Sequence, residues 1–410
     1  MAMAGALIDL APLKATPAFR RLWIGRTFSG FGGQMTIVAV MFQVWQLTRS
    51  PIWTGAVGIA QAVPMVVVGL IGGGLADRID RRRLVLRTTV GQFSVSILLA
   101  LQGFDGHLPV LGVLALVSLQ TCFVAVGGPA GRTFTPRLLP KQQVSAGLAL
   151  TRISSQAAML VGPAVAGLLL GWVGVGGCYL IDAISFGASF YGVFGLAPMR
   201  PEGEVGRPGI HGIADGLRFV ASKATVRGAL ITDLAATVLS MPISLFPLIN
   251  AERFGNNPRT LGLFLSAIAV GGMLASVLSG LFTRYHRPGL VMLGGALAWG
   301  VGLAAFGWSP NPWVGLGCLV IAGAADTLSV ISRGTVIQLE TPDALRGRVG
   351  AVEQMVGVSG PDLGNMRGGI VAGATSGVTA LVSGGLLCVA AVAAVGAAVP
   401  GLRSFHVDRT

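Results

Sequence analysis

The sequence predicts an all-α integral membrane protein, with twelve transmembrane helices in two pseudo-symmetric six-helix bundles. Three observations lead there. Only 11% of the 410 residues are charged while 53% are hydrophobic, and the mean hydropathy is +0.75. Soluble domains carry about 25% charged residues, so this chain cannot clothe itself in water. Second, the apolar residues come in stretches near the roughly 20 residues that cross a hydrocarbon core, separated by short polar turns. Third, there are 62 glycines. Small residues let helix backbones approach closely in lipid, where packing replaces the missing hydrophobic drive.

The spans are expected at 21–47, 53–76, 84–104, 108–131, 144–172, 175–197, 227–250, 260–282, 288–309, 312–333, 347–373 and 376–400. Segments this long exclude the alternating ten-residue pattern of a membrane β-barrel. Residues 201–225 hold Pro201, Gly203, Gly206, Pro208 and Gly209 and then an amphipathic stretch. They read as a cytoplasmic linker between an N-terminal bundle, 1–200, and a C-terminal bundle, 226–410. Two halves of similar length and hydropathy suggest a transporter built from repeats.

Lysine and arginine set the orientation. With the N-terminus inside, the outer loops hold only Arg49, Arg253 and Arg259, and Arg26, Arg152 and Arg367 fall within spans. The rest of the 29 basic residues lie on the cytoplasmic side, so both termini are expected there. The same clustering between apolar spans argues against nucleic acid as the partner behind the net charge of +13. Cys122, Cys178, Cys318 and Cys388 all fall in apolar spans, without a CxxC, and read as small core residues. No cleavable signal peptide is expected, because the first span follows Arg20 and Arg21 and is too long for a signal's apolar core. No metal cluster, nucleophile triad or nucleotide-binding loop is visible, so neither a cofactor, an enzyme nor an ATP-driven pump is expected.

Residues 73–86 read GGLADRIDRRRLVL. Gly73, Leu75, Ala76, Asp77, Arg78, Arg81 and Arg82 match the G-x-L-A-D-R-x-G-R-[KR] signature, and the loop strongly resembles that of the major facilitator superfamily. Asp80 stands where glycine is usual. A carboxylate at Asp77 suits pairing with Arg or with the positive end of a helix. The resemblance implies that this partner starts helix 11 and closes a cytoplasmic gate. A second copy at 280–288 keeps Gly280 but has no following Asp. Residues 162–167 read GPAVAG. They resemble the helix 5 motif of superfamily exporters, with Gly162, Pro163 and Gly167 in place and Ala166 substituting for a glycine. Proline bends the helix and the small residues give a smooth packing face. In the family this motif accompanies export by drug/proton antiport.

PLKATPAFRR at 12–21, HRPGLVMLGG at 286–295 and IQLETPDALRGRV at 337–349 narrow the resemblance to the enterobactin exporter branch, over about residues 11 to 403. Macrolide and multidrug exporters are close cousins. In the last stretch Thr341 is expected to cap a helix that begins at Pro342.

Charges inside the membrane cost at least about 2.5–3.5 kcal/mol each, so every one calls for a reason. The acids are Asp182, Asp233, Asp326, Glu353 and Asp362. A carboxylate in a low-dielectric cavity can take up a proton near neutral pH and release it on the other side. Asp362, next to Pro361, and Asp326 are the leading proton carriers. The competing reading makes them structural ion pairs, Asp362 with Arg367 and Asp326 with Arg333. Arg26 and Arg367 are candidate substrate contacts, although Arg26 could also snorkel to headgroups. Gln34, Gln61, Gln156, Phe31, Phe246 and Met241 are candidate cavity liners. The expected protein is a monomeric, proton-coupled exporter of a siderophore or amphiphilic drug-like molecule in a bacterial cytoplasmic membrane. A proton-symport importer or a non-transporting membrane scaffold is the alternative.

Overall fold

Asparagine and proline start several of the helices. Asn257 and Asn311 each accept a hydrogen bond at 2.9 Å from the backbone N–H two residues on, with proline at the next position. The side chain satisfies an orphan donor, and proline gives up one that had no partner. The computed structural model describes residues 9–76, 79–200, 209–278 and 287–406, and no strand occurs among them. By contact the chain divides into a first unit, residues 1–43 and 63–206, and a second, 44–62 and 207–410.

The first unit holds α1 (Ala11–Ala15), most of α2 (Pro17–Thr48) and the later part of α3 (Pro51–Ala76). It continues with α4 (Arg81–Asp105), α5 (Val110–Arg132), α6 (Phe134–Leu138) and α7 (Val144–Phe194). α4 packs along both α5 and α7. α7 is bent into two arms at Gly174, whose φ of 68° and ψ of −174° suit only glycine. This bend replaces the loop expected between 172 and 175. At one end of the unit Leu22, Phe134, Val193, Leu196 and Met199 form a buried cluster.

The second unit holds the end of α2, the start of α3 and α8 (Gly209–Ser222), α9 (Ala224–Ser240) and α10 (Phe246–Arg253). α11 (Pro258–Val277), α12 (Pro288–Trp308), α13 (Pro312–Glu340), α14 (Asp343–Ala374), α15 (Gly377–Ala398) and α16 (Pro400–Arg403) follow. α13 packs on α11 and α12, while α9 packs on α14 and α15. α8 forms part of the expected linker and lies on the start of α14, where Arg348 donates to Asp215 at 2.9 Å.

Among the described residues nine helical segments are long and apolar enough to cross a membrane. One of them, 141–194, contains the bend at Gly174. α2 and α14, 32 residues each, are longer than a span; α2 carries Arg20, Arg21 and Arg26 in its first third, and α14 carries charges along its length. The protein is a multi-pass, all-α membrane protein.

Two local expectations are corrected. Thr341 does not cap α14: its hydroxyl donates back to Ile337 O at 2.6 Å, and Pro342 precedes the helix without a side-chain cap. A buried threonine gains more by bonding the free carbonyls that end α13 than by facing solvent at a cap. The span 227–250 is not continuous, being broken between Ser240 and Phe246.

Candidate functional site

Pro242 has no N–H to give and its ring blocks a helical approach, so α9 stops before it. Met241 is extended, and a single 3-10 turn at Ile243–Leu245 leads into α10. Within lipid, backbone freed in this way must be satisfied by protein. Asn365 of α14 supplies two acceptors. Ser244 N donates to its Oδ1 at 3.0 Å, and Ser244 Oγ donates to its carbonyl at 2.8 Å. Thr54 Oγ1 of α3 donates to Ser244 O at 2.9 Å. Arg367 donates to Leu239 O, one of the carbonyls left open at the end of α9, where the helix dipole favours a cation. Thr54, Ser244 and Asn365 are all buried. α3 and α14 meet here at backbone distance, since a side chain at Gly55 would come within 2.7 Å of Asn365 O. Gly58 sits in the same way against Asp362 O. Met241 packs against Gly364. Phe246 is wholly buried, with Phe264 and Phe306 at ring-centroid distances of 5.3 and 5.8 Å.

The second feature of this unit is a buried charge cluster. Arg333 of α13 pairs with Asp233 of α9, and its Nε lies 3.5 Å from Glu353 of α14. The side chains of Arg333 and Asp233 are 9% and 8% exposed. Asp326 stands two helical turns before Arg333 on the same face of α13, half-buried and within the fields of both Asp233 and Arg333. Two carboxylates, Asp233 and Glu353, therefore flank one guanidinium, and no ion pair between Asp326 and Arg333 occurs among the described residues. A buried ion needs a partner and further hydrogen bonds to survive desolvation, and Arg333 is the partner of these two. The ion pair expected between Asp362 and Arg367 does not occur among the described residues. Asp362 is half-buried on the face of α14 that meets Gly58.

In the first unit Asp182 is fully buried in the second arm of α7. Its Oδ2 accepts from Thr36 Oγ1 and from Ser96 Oγ, both at 2.8 Å, and Gln120 Nε2 donates to Ser96 Oγ at 3.1 Å. Asp182 Oδ1 has no hydrogen-bond partner among the described residues. A layer away, Gln43 and Gln102 exchange amide hydrogen bonds of 2.7 and 3.1 Å, and Tyr179 OH donates to Gln43 Oε1 at 2.8 Å. Gln34 and Phe31 lie over Gly162 of the helix 5 motif, with Gln34 Cβ 2.6 Å from where a glycine Cβ would stand. Pro163 and Gly167 of that motif are buried in the first arm of α7. Gln61 is half-buried and Gln156 exposed.

Of the loop signature, Gly73 lies in α3, while Asp77 and Arg78 fall outside the described residues. Asp80 caps α4 by accepting from Arg83 N at 2.9 Å, with φ at −53°, so no glycine is needed at that point. Arg81 N donates to Met199 O at 3.0 Å. Arg82 donates to Phe194 O and lies 5.8 Å from the centre of that ring. Arg82 thus ties the start of α4 to the end of α7, and Arg81 ties it to the segment that follows.

Sequence reasoning singled out the acids but not the Asp233–Arg333 pairing, and it missed Thr54, Ser244 and Asn365. Pro242 in mid-span was the visible signal for a break.

From residue 8 to 408 the chain matches the model of the MFS-type family described as transmembrane secretion effector. The enterobactin exporter EntS of Shigella boydii serotype 18 is 28% identical over 391 residues, covering 93% of this chain and 92% of that protein. Among solved structures, the nucleoside transporter NupG has a TM-score of 0.76 at 15% identity, covering 95% of this chain and 99% of that one. A POT family transporter in complex with 5-aminolevulinic acid has a TM-score of 0.76 at 13% identity, with 94% and 97% covered. These two share the fold. The chain is a membrane transporter, and it belongs to the transmembrane secretion effector family of the major facilitator superfamily.

Proposed function

We propose that the protein is a proton-coupled exporter, an antiporter of a siderophore or an amphiphilic drug-like molecule in a bacterial cytoplasmic membrane. The similarity to an enterobactin exporter over nearly the whole chain supports the substrate class. The basic loops support cytoplasmic termini. Twelve crossings follow if the two arms of α7 and the long helices α2 and α14 are counted with the other spans. They form bundles at 1–200 and 226–410, joined by the linker 201–225 and working as a monomer.

The observation that carries the reading is the buried guanidinium of Arg333 held between Asp233 and Glu353, with Asp326 two turns away on the same helix face. Such a cluster can gain or lose a proton without giving up its ion pair. Ionisable groups sunk in a membrane bundle mark proton pathways by default. Asp326 is the exchanging acid on this reading and Asp362 the second. Asp182, held by hydroxyl groups alone, is a third acid, structural in role. Gln34 and Phe31, beside the helix 5 motif, line the substrate path.

Inverted vesicles test this. An imposed pH gradient drives uptake of a siderophore or a cationic dye in the parent, and Asp326→Asn and Asp362→Asn lose it while Asp182→Asn keeps it. Loss confined to Asp182→Asn overturns the assignment, and uptake indifferent to the gradient overturns proton coupling.

A further inference from the structure

Within the first unit a cavity of about 270 Å³ opens between α2, α4, α5 and α7. Its polar wall is made by Arg26, Thr88, Thr89, Gln92, Arg132 and Ser189. Two guanidinium groups, three hydroxyls and an amide face it, and no carboxylate is among its described lining residues. Arg26 is held in place from two sides. Its Nη2 donates to Gly131 O at 2.5 Å, and its guanidinium lies 5.6 Å from the centre of the Phe134 ring. A guanidinium has five N–H donors in a planar fork suited to carboxylate and phosphate oxygens. The carbonyl of Gly131 uses one and fixes the direction of the others.

Thr89 is shared with a second hollow of about 340 Å³, lined otherwise by Val90, Phe93, Phe186, Gly187 and Phe190. That groove is apolar along its length, and Val90 and Phe93 are exposed on its wall. Arg132 is the last residue of α5, and along α4 the chamber reaches Gln92 and the groove Phe93, about 18 Å from the start of that helix at 1.5 Å per residue. Chamber and groove thus lie side by side along α4 and α7, and the chamber alone continues along α5 to the helix end. A soluble phosphate has no use for the groove, and a neutral lipid has none for two arginines.

We propose that chamber and groove together bind one anionic phospholipid, with its phosphate at Arg26 and Arg132 and an acyl chain along Phe93, Phe186 and Phe190. The site rests on the membrane placement of these helices, not on the direction or coupling of transport. Arg26 is then a lipid ligand rather than a substrate contact. Lys and Arg near a membrane surface are the usual readers of anionic lipid, and here the sequence folds them around a preformed pocket.

Gly128 offers a clean test. It lines the chamber, and a Cβ built there meets nothing within 4 Å, so the side chain of Gly128→Leu starts into open space beside the chamber. Purified full-length protein is melted in detergent with phosphatidylglycerol, phosphatidylcholine or inorganic phosphate added separately. Phosphatidylglycerol raises Tm more than phosphatidylcholine at equal mole fraction, and inorganic phosphate leaves it unchanged. Gly128→Leu keeps the lipid-free Tm and loses the selective shift, and Arg26→Gln reduces it. No selective shift in the parent, an equal shift with inorganic phosphate, or a full shift in a folded Gly128→Leu variant each overturns the proposal.

Discussion

Asp182 and Asp233 are both buried aspartates on membrane-spanning helices, one in each unit, and their surroundings differ in kind. Asp182 is served by Thr36 and Ser96, neutral donors that ask nothing in return if the charge is lost. Asp233 is locked to Arg333, a cation that cannot shed its charge and that also holds Glu353. Hydroxyl groups tolerate either protonation state of their partner, whereas a buried guanidinium requires an anion. The first arrangement builds a rigid polar core. The second builds a charge balance that further acids, such as Asp326, can tip.

Removing the cation should separate the two regions most sharply. Arg333→Ala leaves Asp233 and Glu353 without their counter-ion and costs about 3–5 kcal/mol, the usual result of halving a buried pair. Thermal unfolding in detergent measures it, and parent-like stability would show that Arg333 is not holding the cluster. Next in size, Asp182→Leu and Asn365→Ala each strand buried hydrogen-bonding groups and cost about 1–3 kcal/mol. Asp182→Asn, which keeps an acceptor for Thr36 and Ser96, stays within about 1 kcal/mol of the parent. Asp233→Asn costs more than Asp182→Asn, and equal losses would erase the distinction. The smallest effect is expected at Glu353, whose side chain is 24% exposed and 3.5 Å from Arg333. Glu353→Gln lowers stability by about 1 kcal/mol or less.

Much of the fold could be read in advance because bilayer thickness makes hydropathy and length sufficient. The acids could be read too, since any charge in an oily span stands out. Their partners could not. Asp233 and Arg333 lie 100 residues apart, and the Thr54–Ser244 and Ser244–Asn365 bonds close loops of 190 and 121 residues. Nothing local in a single sequence encodes such pairings. Pro242 marks a break inside the span expected to run unbroken over 227–250, but which helix supplies the missing hydrogen bonds depends on the close approach of α3 and α14 at Gly55 and Gly58. Thr341 was misread for a local reason: a hydroxyl between two helices can serve either, and burial decided for the one behind it. Asp80 was the reverse case, since an aspartate in place of the usual glycine fits a cap as readily as a turn.

Proton movement linked to substrate movement is the most direct measure of the central claim. Purified protein in liposomes enclosing a pH-sensitive dye is given a substrate gradient with no imposed pH difference. Antiport predicts that protons flow against the substrate in the parent protein, and that Asp326→Asn carries substrate down its gradient without them. Substrate flux in the parent with no accompanying pH change would contradict the account.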